Sequence, residues 1–327
     1  MNHSYVFNGD ADGLCALQQL RLDGAPPGLL ITGVKRDIAL LARLSGAAPA
    51  QGQRGDRCTV LDISLDVNRA ALLALLDAGV QVRYFDHHFT GEVPQHPGLE
   101  AHLDLSPSVC TSLLVDRSIA GRFRRWAIVG LFGDSLADEA RALAAADTGL
   151  DAEATERLKE LGVAINYNAY GETLEDLHIP PASLAGEMAP FADPLEFAAR
   201  SAAFRRLADG FRQDMELAHR LEPARRTKGA VCFTLPDAAW ARRASGTLAN
   251  ELARAYAGDA VAIVSPKTTG GYLVSVRVPR DASVSAEAFC RTFPTGGGRR
   301  TAAGINHLPN EDLQKFAEAF ETQFGSA

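Results

Sequence analysis

Short apolar runs alternate with longer amphipathic stretches through the first half of the chain. The short runs are typical of buried parallel strands, and the stretches that follow them have the apolar spacing of helices. Strands are predicted at Ser4–Phe7, Leu29–Val34, Thr59–Leu61 and Val80–Phe85, and helices at Gly13–Leu22 and Val67–Ala78. This alternation predicts an α/β N-terminal domain at residues 1–192, with a mostly parallel sheet covered by helices.

The pattern changes twice further along the chain. From Asp138 onward it is mainly helical, and the long periodic stretch Leu195–Leu221 predicts a helix within a connector at residues 193–225. Residues 226–327 return to an α/β pattern. Strands are predicted there at Ala230–Leu235, Val261–Ser265 and Tyr272–Val278, and helices at Ala241–Tyr256 and Asn310–Phe324. The sequence therefore predicts a second, smaller α/β domain.

Composition and charge narrow the class of protein. The chain has 327 residues, 46% of them hydrophobic, and no apolar run approaches the roughly 20 residues that cross a bilayer. It enters a strand almost at once, which leaves no room for a signal peptide, so a cytoplasmic protein without membrane contact is expected. Its five cysteines are scattered and are expected to be reduced. The net charge of −7 argues against binding long duplex nucleic acid, but allows a small phosphorylated ligand.

Carboxylates and histidines follow the predicted strands at the point where each strand ends. The segments are Asn8-Gly9-Asp10-Ala11-Asp12-Gly13, Asp62, Asp86-His87-His88 and, after the apolar segment Trp126–Phe132, Gly133-Asp134. A carboxylate in this place is often only a helix N-cap. However, ligands bind outside the carboxyl ends of the strands in open α/β sheets, and so many like charges in one crevice would repel without cations. The pattern predicts a site for two divalent ions, Mn²⁺ first and Mg²⁺ as the alternative.

The second domain carries a separate candidate for anion binding. Gly296, Gly297 and Gly298 allow backbone N–H groups to approach an anion closely, and Arg299 and Arg300 follow them. Arginine is well shaped for bidentate phosphate contacts, so these residues and Arg277 are expected to bind phosphate. The alternatives are a flexible turn for the glycines and a solvated strand face for Arg277.

An aromatic and amide-rich segment in the helical part leaves two interpretations open. Asn166–Gly171 contains two tyrosines and two asparagines. Its rings would stack on bases, or they would belong to the core.

Together, these motifs resemble those of the DHH phosphoesterase superfamily, of the RecJ-like and nanoRNA- or dinucleotide-cleaving type. The resemblance rests on Asp10-x-Asp12-Gly13, the lone Asp62, Asp86-His87-His88 and Gly133-Asp134. The segment Gly296–Gly304, preceded by Ser275-Val276-Arg277, resembles the accompanying DHHA1 domain. The motifs occur in the family's order and lie toward both ends of the chain.

The resemblance implies a role for each matching residue. Asp62 would bridge two metal ions, Asp10 would bind one of them, and the other would be bound by Asp12, His87 and Asp134. His88 would contact the scissile phosphate, and Asp86 would orient an imidazole or act as a ligand. Asn8 stands where RecJ-like members have an aspartate, so it would offer only a carbonyl oxygen. Arg299 stands where a histidine often follows the three glycines, which fits a substrate with an added 5′ phosphate.

The function implied is a metal-dependent phosphodiesterase. It would use metal-activated water to cut short linear 5′-phosphorylated di- or oligonucleotides, including those left by cyclic-dinucleotide breakdown, to mononucleotides. A nucleoside bisphosphate phosphatase is the alternative within the hydrolases. From another class, a weakly catalytic nucleotide sensor stays open because of Asn8 and Arg299. A homodimer is neither required nor excluded by the sequence.

Overall fold

The computed structural model describes residues 2–44 and 52–325, and the chain divides into two compact units. These are Met1–Gly210 and Phe211–Ala327, so the boundary falls inside the segment predicted as a connector. Each unit has its own sheet, five strands in the first and six in the second. The predicted α/β fold with a second, smaller α/β region is therefore confirmed.

The first unit is built on a parallel sheet with the strand order β2-β1-β3-β4-β5. Its strands are β1 (His3–Phe7), β2 (Leu29–Thr32), β3 (Arg57–Leu61), β4 (Gln81–Asp86) and β5 (Leu99–Leu103). Phe7 lies opposite Thr32 on one side and opposite Leu61 on the other. After β1 the chain moves to one side for β2 and to the other for β3, which opens a crevice at the carboxyl ends of β1 and β3.

Side chains of this sheet alternate between two apolar layers. Tyr5, Phe7 and Phe85 pack into one core, whereas Val6 and Tyr84 pack into the other. This period of two is what a sheet buried on both faces requires. Among its described residues, the unit has the helices α1 (Ala11–Leu22), α2 (Leu65–Asp77), α3 (Thr111–Ser118), α4 (Arg124–Gly133), α5 (Ala137–Ala145), α6 (Ala152–Asn168), α7 (Pro181–Met188) and α8 (Pro194–Arg200).

Three helices of the first unit meet through glycine. A Cβ atom at Gly133 in α4 would lie 2.3 Å from the Cβ of Ala11 in α1. A Cβ atom at Gly162 in α6 would lie 2.3 Å from the carbonyl oxygen of Val129 in α4. The backbones of α1, α4 and α6 therefore pack closer than any larger residue permits. This seam of glycines fixes Asp134, the residue after α4, relative to the start of α1.

The long helix predicted at Leu195–Leu221 is interrupted in the structure, so that prediction was wrong. Helix α8 ends at Arg200, and α9 spans Ala202–Ala218. Ser201 between them is extended, and its hydroxyl accepts hydrogen bonds from the N–H groups of Ala203 and Phe204. A serine that caps a new helix in this way stops the helix before it.

The second unit has a mixed sheet with the order β10-β11-β9-β8-β7-β6. The strands are β6 (Arg225–Thr227), β7 (Ala230–Thr234), β8 (Ala260–Pro266), β9 (Tyr272–Arg277), β10 (Gly296–Gly298) and β11 (Ala302–Leu308). The helices are α10 (Ala239–Ala255), α11 (Ala286–Cys290) and α12 (Leu313–Phe324). The three glycines thus form an edge strand paired with β11, in place of the flexible turn that was the simpler alternative.

No helix among the described residues has the length and apolar character needed to cross a bilayer.

Candidate metal site

Asp10 is the residue at which helix α1 begins. Its Oδ1 accepts hydrogen bonds from the N–H groups of Asp12 and Gly13, each at 3.1 Å. Its Oδ2 accepts one from the ammonium group of Lys35. Burial raises the pKa of Asp10, but the charge of Lys35 and its hydrogen bond outweigh burial, so the pKa lies below its usual value. Asp10 therefore caps a helix and still directs one oxygen into the crevice.

Asp12 is held by the start of helix α3. Its two carboxylate oxygens accept hydrogen bonds at 2.7 Å from the N–H groups of Thr111 and Ser112. The positive end of the α3 dipole lies at this terminus, which suits a buried carboxylate. Oδ2 is also 4.0 Å from Nε2 of His87. Both oxygens of Asp12 thus have backbone partners within the protein.

Asp62 follows β3 in the left-handed region, with φ of 61°. Aspartate tolerates this region better than most residues, and such strain is often found at functional sites. Oδ1 accepts a hydrogen bond from the Thr111 hydroxyl at 3.1 Å. Burial and then the charges of Asp10, Asp12 and Asp134 raise the pKa of Asp62 well above its usual value.

His87 lies among three of the carboxylates. Its Nε2 is 3.5 Å from Asp62 Oδ1, 3.7 Å from Asp134 Oδ2 and 4.0 Å from Asp12 Oδ2. Asp134 is the C-cap of α4, where the helix dipole disfavours negative charge. Burial and the nearby Asp12 and Asp10 raise the pKa of Asp134 despite Lys35 and His87. The negative charge around Asp134 is therefore only partly compensated by nearby positive groups.

His88 forms a pair with Asp86 at the end of β4. Its Nδ1 is 2.7 Å from Oδ1 of Asp86, whose side chain is fully buried. Burial lowers the pKa of His88, but the hydrogen bond and charge of Asp86 outweigh burial and raise it. A carboxylate bonded to Nδ1 assigns the proton to that nitrogen in the neutral ring and leaves Nε2 for other chemistry. The imidazole that Asp86 orients is thus that of His88.

Lys35 completes the cluster, although the sequence analysis did not select it. Its Nζ donates to Asp10 and to Oδ1 of Asn166 at 3.0 Å, and lies 5.6 Å from the ring centre of Tyr170. Lys35 directly follows the predicted strand Leu29–Val34, so a search for all charged residues at the ends of predicted strands would also have selected it. The segment Asn166–Gly171 is divided: Asn166 and Tyr170 adjoin Lys35, whereas Tyr167 is a core residue.

Three buried side-chain oxygens at this edge of the sheet lack hydrogen-bond partners: Oδ1 of Asn8, Oγ1 of Thr32 and Oδ2 of Asp86. Leaving a buried acceptor unsatisfied costs about 1–3 kcal/mol. Asp62, His87 and His88 also offer ligand atoms that all lie within 4.8 Å of one another. The oxygen-rich set with imidazole nitrogen fits Mn²⁺ or Mg²⁺ by its chemistry. The residues present therefore fit a divalent ion.

Phe89, which directly follows the histidine pair, was also not selected from the sequence. Its side chain is 69% exposed, the largest fraction among the exposed large hydrophobic residues described. Its backbone carbonyl accepts a hydrogen bond from the Ser64 hydroxyl at 2.7 Å, which fixes the loop. An anchored loop thus presents an aromatic ring to solvent beside His88.

The three arginines that the sequence predicts to bind phosphate lie near one end of the sheet of the second unit. Arg277 in β9 lies opposite Ala302 in β11. Ala302 in turn directly follows the turn that contains Arg299 and Arg300. Nε and Nη2 of Arg277 both donate to Oδ1 of Asn250 in α10, at 3.3 Å. Arg299 and Arg300 are exposed. The structure thus brings the three predicted arginines into one neighbourhood.

The three glycines of β10 differ in what they require. A Cβ atom at Gly296 would lie 1.8 Å from the carbonyl oxygen of Cys290, and one at Gly298 would lie 2.4 Å from the Cα of Ala303. Gly298 also has φ of 145°. Only at Gly297 would a Cβ atom meet open space. Packing therefore explains Gly296 and Gly298, and only Gly297 is left for ligand approach.

Comparisons with known proteins give the following matches. Residues 227–326 match the family model of the DHHA1 domain. Among solved structures, exonuclease RecJ bound to manganese aligns with a TM-score of 0.63 at 19% identity, covering 98% of this chain and 89% of that chain. RecJ in complex with Mn²⁺ from Thermus thermophilus gives 0.64 at 19% identity, covering 98% and 51%.

A third solved structure is the pGpG-specific phosphodiesterase PggH from Vibrio cholerae. It aligns with a TM-score of 0.55 at 12% identity, covering 99% of this chain and 98% of that chain. A search of curated protein sequences finds no match. At these identities the structures establish the fold. The DHHA1 match confirms the sequence-based recognition for residues 227–326, and the solved structures show that the fold of DHH-type proteins extends over the rest of the chain.

Asp12 and Asp62 should respond in opposite ways to neutralisation. In Asp12→Asn the amide nitrogen cannot accept a hydrogen bond, so one buried backbone N–H loses its partner, at a cost of about 1–3 kcal/mol. Asp62→Asn removes a carboxylate that burial and three neighbouring charges disfavour, in a backbone region that asparagine tolerates. Thermal unfolding of metal-free protein should give a lower melting temperature for Asp12→Asn and a higher one for Asp62→Asn. Equal shifts of the same sign would contradict these assignments.

Proposed function

We propose that the protein is a metal-dependent phosphodiesterase that hydrolyses short linear 5′-phosphorylated nucleotides, dinucleotides first, to mononucleotides. The observation that carries the proposal is the crevice at β1 and β3, where Asp12, Asp62 and Asp134 surround His87. His88 is paired with a buried carboxylate beside it. Likeness to two manganese-bound RecJ structures and to a pGpG-specific phosphodiesterase supports the reaction class and the choice of Mn²⁺.

The proposed ligands fall into two groups. Asp62, His87 and Asp134 would hold one ion, and Asp10 with the unpartnered Oδ1 of Asn8 would hold a second. Bound ions of this kind lower the pKa of a coordinated water and neutralise charge on a phosphate. Asp12 would act differently from the ligand role implied by resemblance: both its oxygens bond to helix α3, so it would position that helix and Thr111.

His88 would act on the leaving group. Asp86 raises the pKa of His88 and bonds its Nδ1, so the protonated ring presents Nε2 with a proton. As water adds to phosphorus and the P–O bond to the departing sugar breaks, Nε2 would donate this proton to the leaving oxygen. The imidazolium charge would also stabilise charge that develops on the phosphate. The hydrogen bond from Nδ1 to Asp86 would fix the orientation of the ring.

Features outside the metal ligands favour a short nucleotide. Phe89 offers an exposed ring on which a base can stack, for about 1–3 kcal/mol. Arg277, Arg299 and Arg300 would bind a substrate phosphate, with Gly297 allowing close approach. The net charge of −7 disfavours long duplexes. We also propose a cytoplasmic setting, in keeping with five buried free cysteines.

Two alternative functions are compatible with the same residues, and one of them has specific support. A nucleoside bisphosphate phosphatase would use the same ligands and the same arginines. A nucleotide sensor with weak turnover is favoured by the bond between Lys35 and Asp10, which engages a proposed metal ligand with an internal cation. Turnover distinguishes them, because a sensor would bind a nucleotide with Mn²⁺ without releasing mononucleotide.

Turnover of a substrate panel with Mn²⁺ tests the proposal. The panel holds 5′-phosphorylated dinucleotides, a longer oligonucleotide, a cyclic dinucleotide, a nucleoside bisphosphate and pyrophosphate. Mononucleotide release from linear dinucleotides is expected, and His88→Ala should lower kcat by about 10²–10⁴-fold through loss of the general acid. Asp62→Ala should abolish it, and Asp138→Ala, on the surface of α5, should match the wild type. Release of inorganic phosphate from the bisphosphate alone would favour the phosphatase.

Phe89 provides a test of base stacking. Phe89→Ala should raise KM for dinucleotides about 5- to 150-fold, the equivalent of about 1–3 kcal/mol of stacking, with little change in kcat. Phe89→Tyr keeps an aromatic face and should retain KM. Leu105→Ala removes another exposed apolar side chain of the same unit and should leave KM unchanged. An unchanged KM in Phe89→Ala would exclude this role.

The arginines provide a test of phosphate preference. The double variant Arg299→Ala/Arg300→Ala should lower kcat/KM for 5′-phosphorylated dinucleotides at least about 10-fold, because each charge-assisted hydrogen bond that is lost is worth about 1.5–3 kcal/mol. The value for the unphosphorylated dinucleotide should stay the same. Arg291→Ala, an exposed arginine in the same unit, serves as the control. An unaltered preference in the double variant would refute this assignment of the turn.

A further inference from the structure

The acidic crevice contains two nitrogen atoms that share a neighbouring carboxylate. One is Nε2 of His87, with Asp62 and Asp12 nearby. The other is Nζ of Lys35. Asp134 directs one oxygen to each: Oδ2 is 3.7 Å from Nε2 of His87, and Oδ1 is 4.0 Å from Nζ of Lys35. The crevice is therefore divided into a His87 half and a Lys35 half.

The Lys35 half has the composition of a cation site. Three oxygens surround Nζ: Oδ2 of Asp10, Oδ1 of Asn166 at 3.0 Å and Oδ1 of Asp134 at 4.0 Å. Oxygen-only sets of this kind are the ligands of hard divalent ions. The ammonium group thus lies where the oxygens of Asp10 and Asp134 would otherwise be available to a metal.

The lysine is anchored in this place by its backbone. Its N–H donates to the carbonyl of Ala169 at 2.9 Å, just beyond α6, and its carbonyl accepts from Nδ2 of Asn8 at 3.4 Å. Its side chain is only 22% exposed. The four-carbon stem is flexible, so the ammonium group can leave Asp10 without movement of the backbone. Asn8, a neutral residue beside this half, leaves it with one negative charge fewer than an aspartate would give.

We propose that Lys35 is an internal cation that competes with the second divalent ion for Asp10. The crevice then fills in two unequal steps. One ion binds tightly in the His87 half, and a second binds in the Lys35 half only when the ammonium group gives up Asp10. Lys35 is thus the residue that sets metal occupancy. The inference deepens the proposed function, and it rests on that function only for the presence of a divalent-ion site.

A Mn²⁺ titration without substrate tests the proposal. Free Mn²⁺ is counted by its electron paramagnetic resonance signal, with the wild type beside Lys35→Met and Lys35→Gln. The wild type should bind one ion tightly and a second at least about tenfold more weakly. Both variants should bind the second ion at least about tenfold more tightly than the wild type, because a unit positive charge next to a divalent ion is removed. Lys159→Met, on the same helix as Asn166 but paired with Glu156 on the helix surface, should match the wild type.

Several outcomes would overturn the proposal. If the wild type bound both Mn²⁺ ions with equal affinity, the proposal would be overturned. This outcome needs no variant, so the test holds even if the substitutions unfold the protein. Wild-type affinities in folded Lys35→Met and Lys35→Gln, checked by circular dichroism, would overturn the proposal as well. Because no substrate is present, failure of the phosphodiesterase proposal would leave this result unaffected. Binding of no Mn²⁺ at all by the folded wild type would overturn both.

Discussion

The concentration of buried negative charge at one sheet edge is the constraint on which this structure depends. Asp10, Asp12 and Asp62 are each almost fully buried, and Asp134 lies beside them. Isolated carboxylates in such surroundings would become protonated. The buried carboxylates are tolerated because the fold places positive partners beside two of them: a helix terminus beside Asp12 and an ammonium group beside Asp10. Asp62 and Asp134 have the least compensation, which is why their pKa values are raised.

The same arrangement explains how a simple topology yields a site. Parallel strands bring their carboxyl ends to one edge, and the change of direction between β2 and β3 opens that edge at β1. Helices α1 and α3 then begin at the crevice, so their free N–H groups point to the carboxylates. Carboxylates that serve as caps and carboxylates that remain available are therefore neighbours in space. Their sequence motifs alone do not tell them apart.

The features that could be predicted from the sequence are those that depend on a local pattern of residues. Apolar runs predicted β1, β3 and β4, and the strand-end rule predicted the set Asp10, Asp62 and His87. Sequence reasoning missed β5, a half-exposed edge strand of five residues, and β10, which is all glycine and has no apolar side chain, together with β6 and β11. It also missed the break at Ser201, because apolar spacing continues across it. The bonds of Asp12 to α3 join residues about a hundred positions apart, which no local pattern encodes.

The glycine seam has a consequence for which ion the crevice accepts. Gly133, the residue before Asp134, packs directly on the Cβ atom of Ala11 in α1, so the distance of Asp134 from Asp10 and Asp12 is set mainly by main-chain packing and not by long, adjustable side chains. A cavity with rigid walls discriminates ions by radius, whereas a flexible one adapts to them. In the proposed site, small divalent ions near the size of Mg²⁺ and Mn²⁺ would be favoured over the larger Ca²⁺ for this reason. Ionic selectivity would then originate partly in residues that have no side chain.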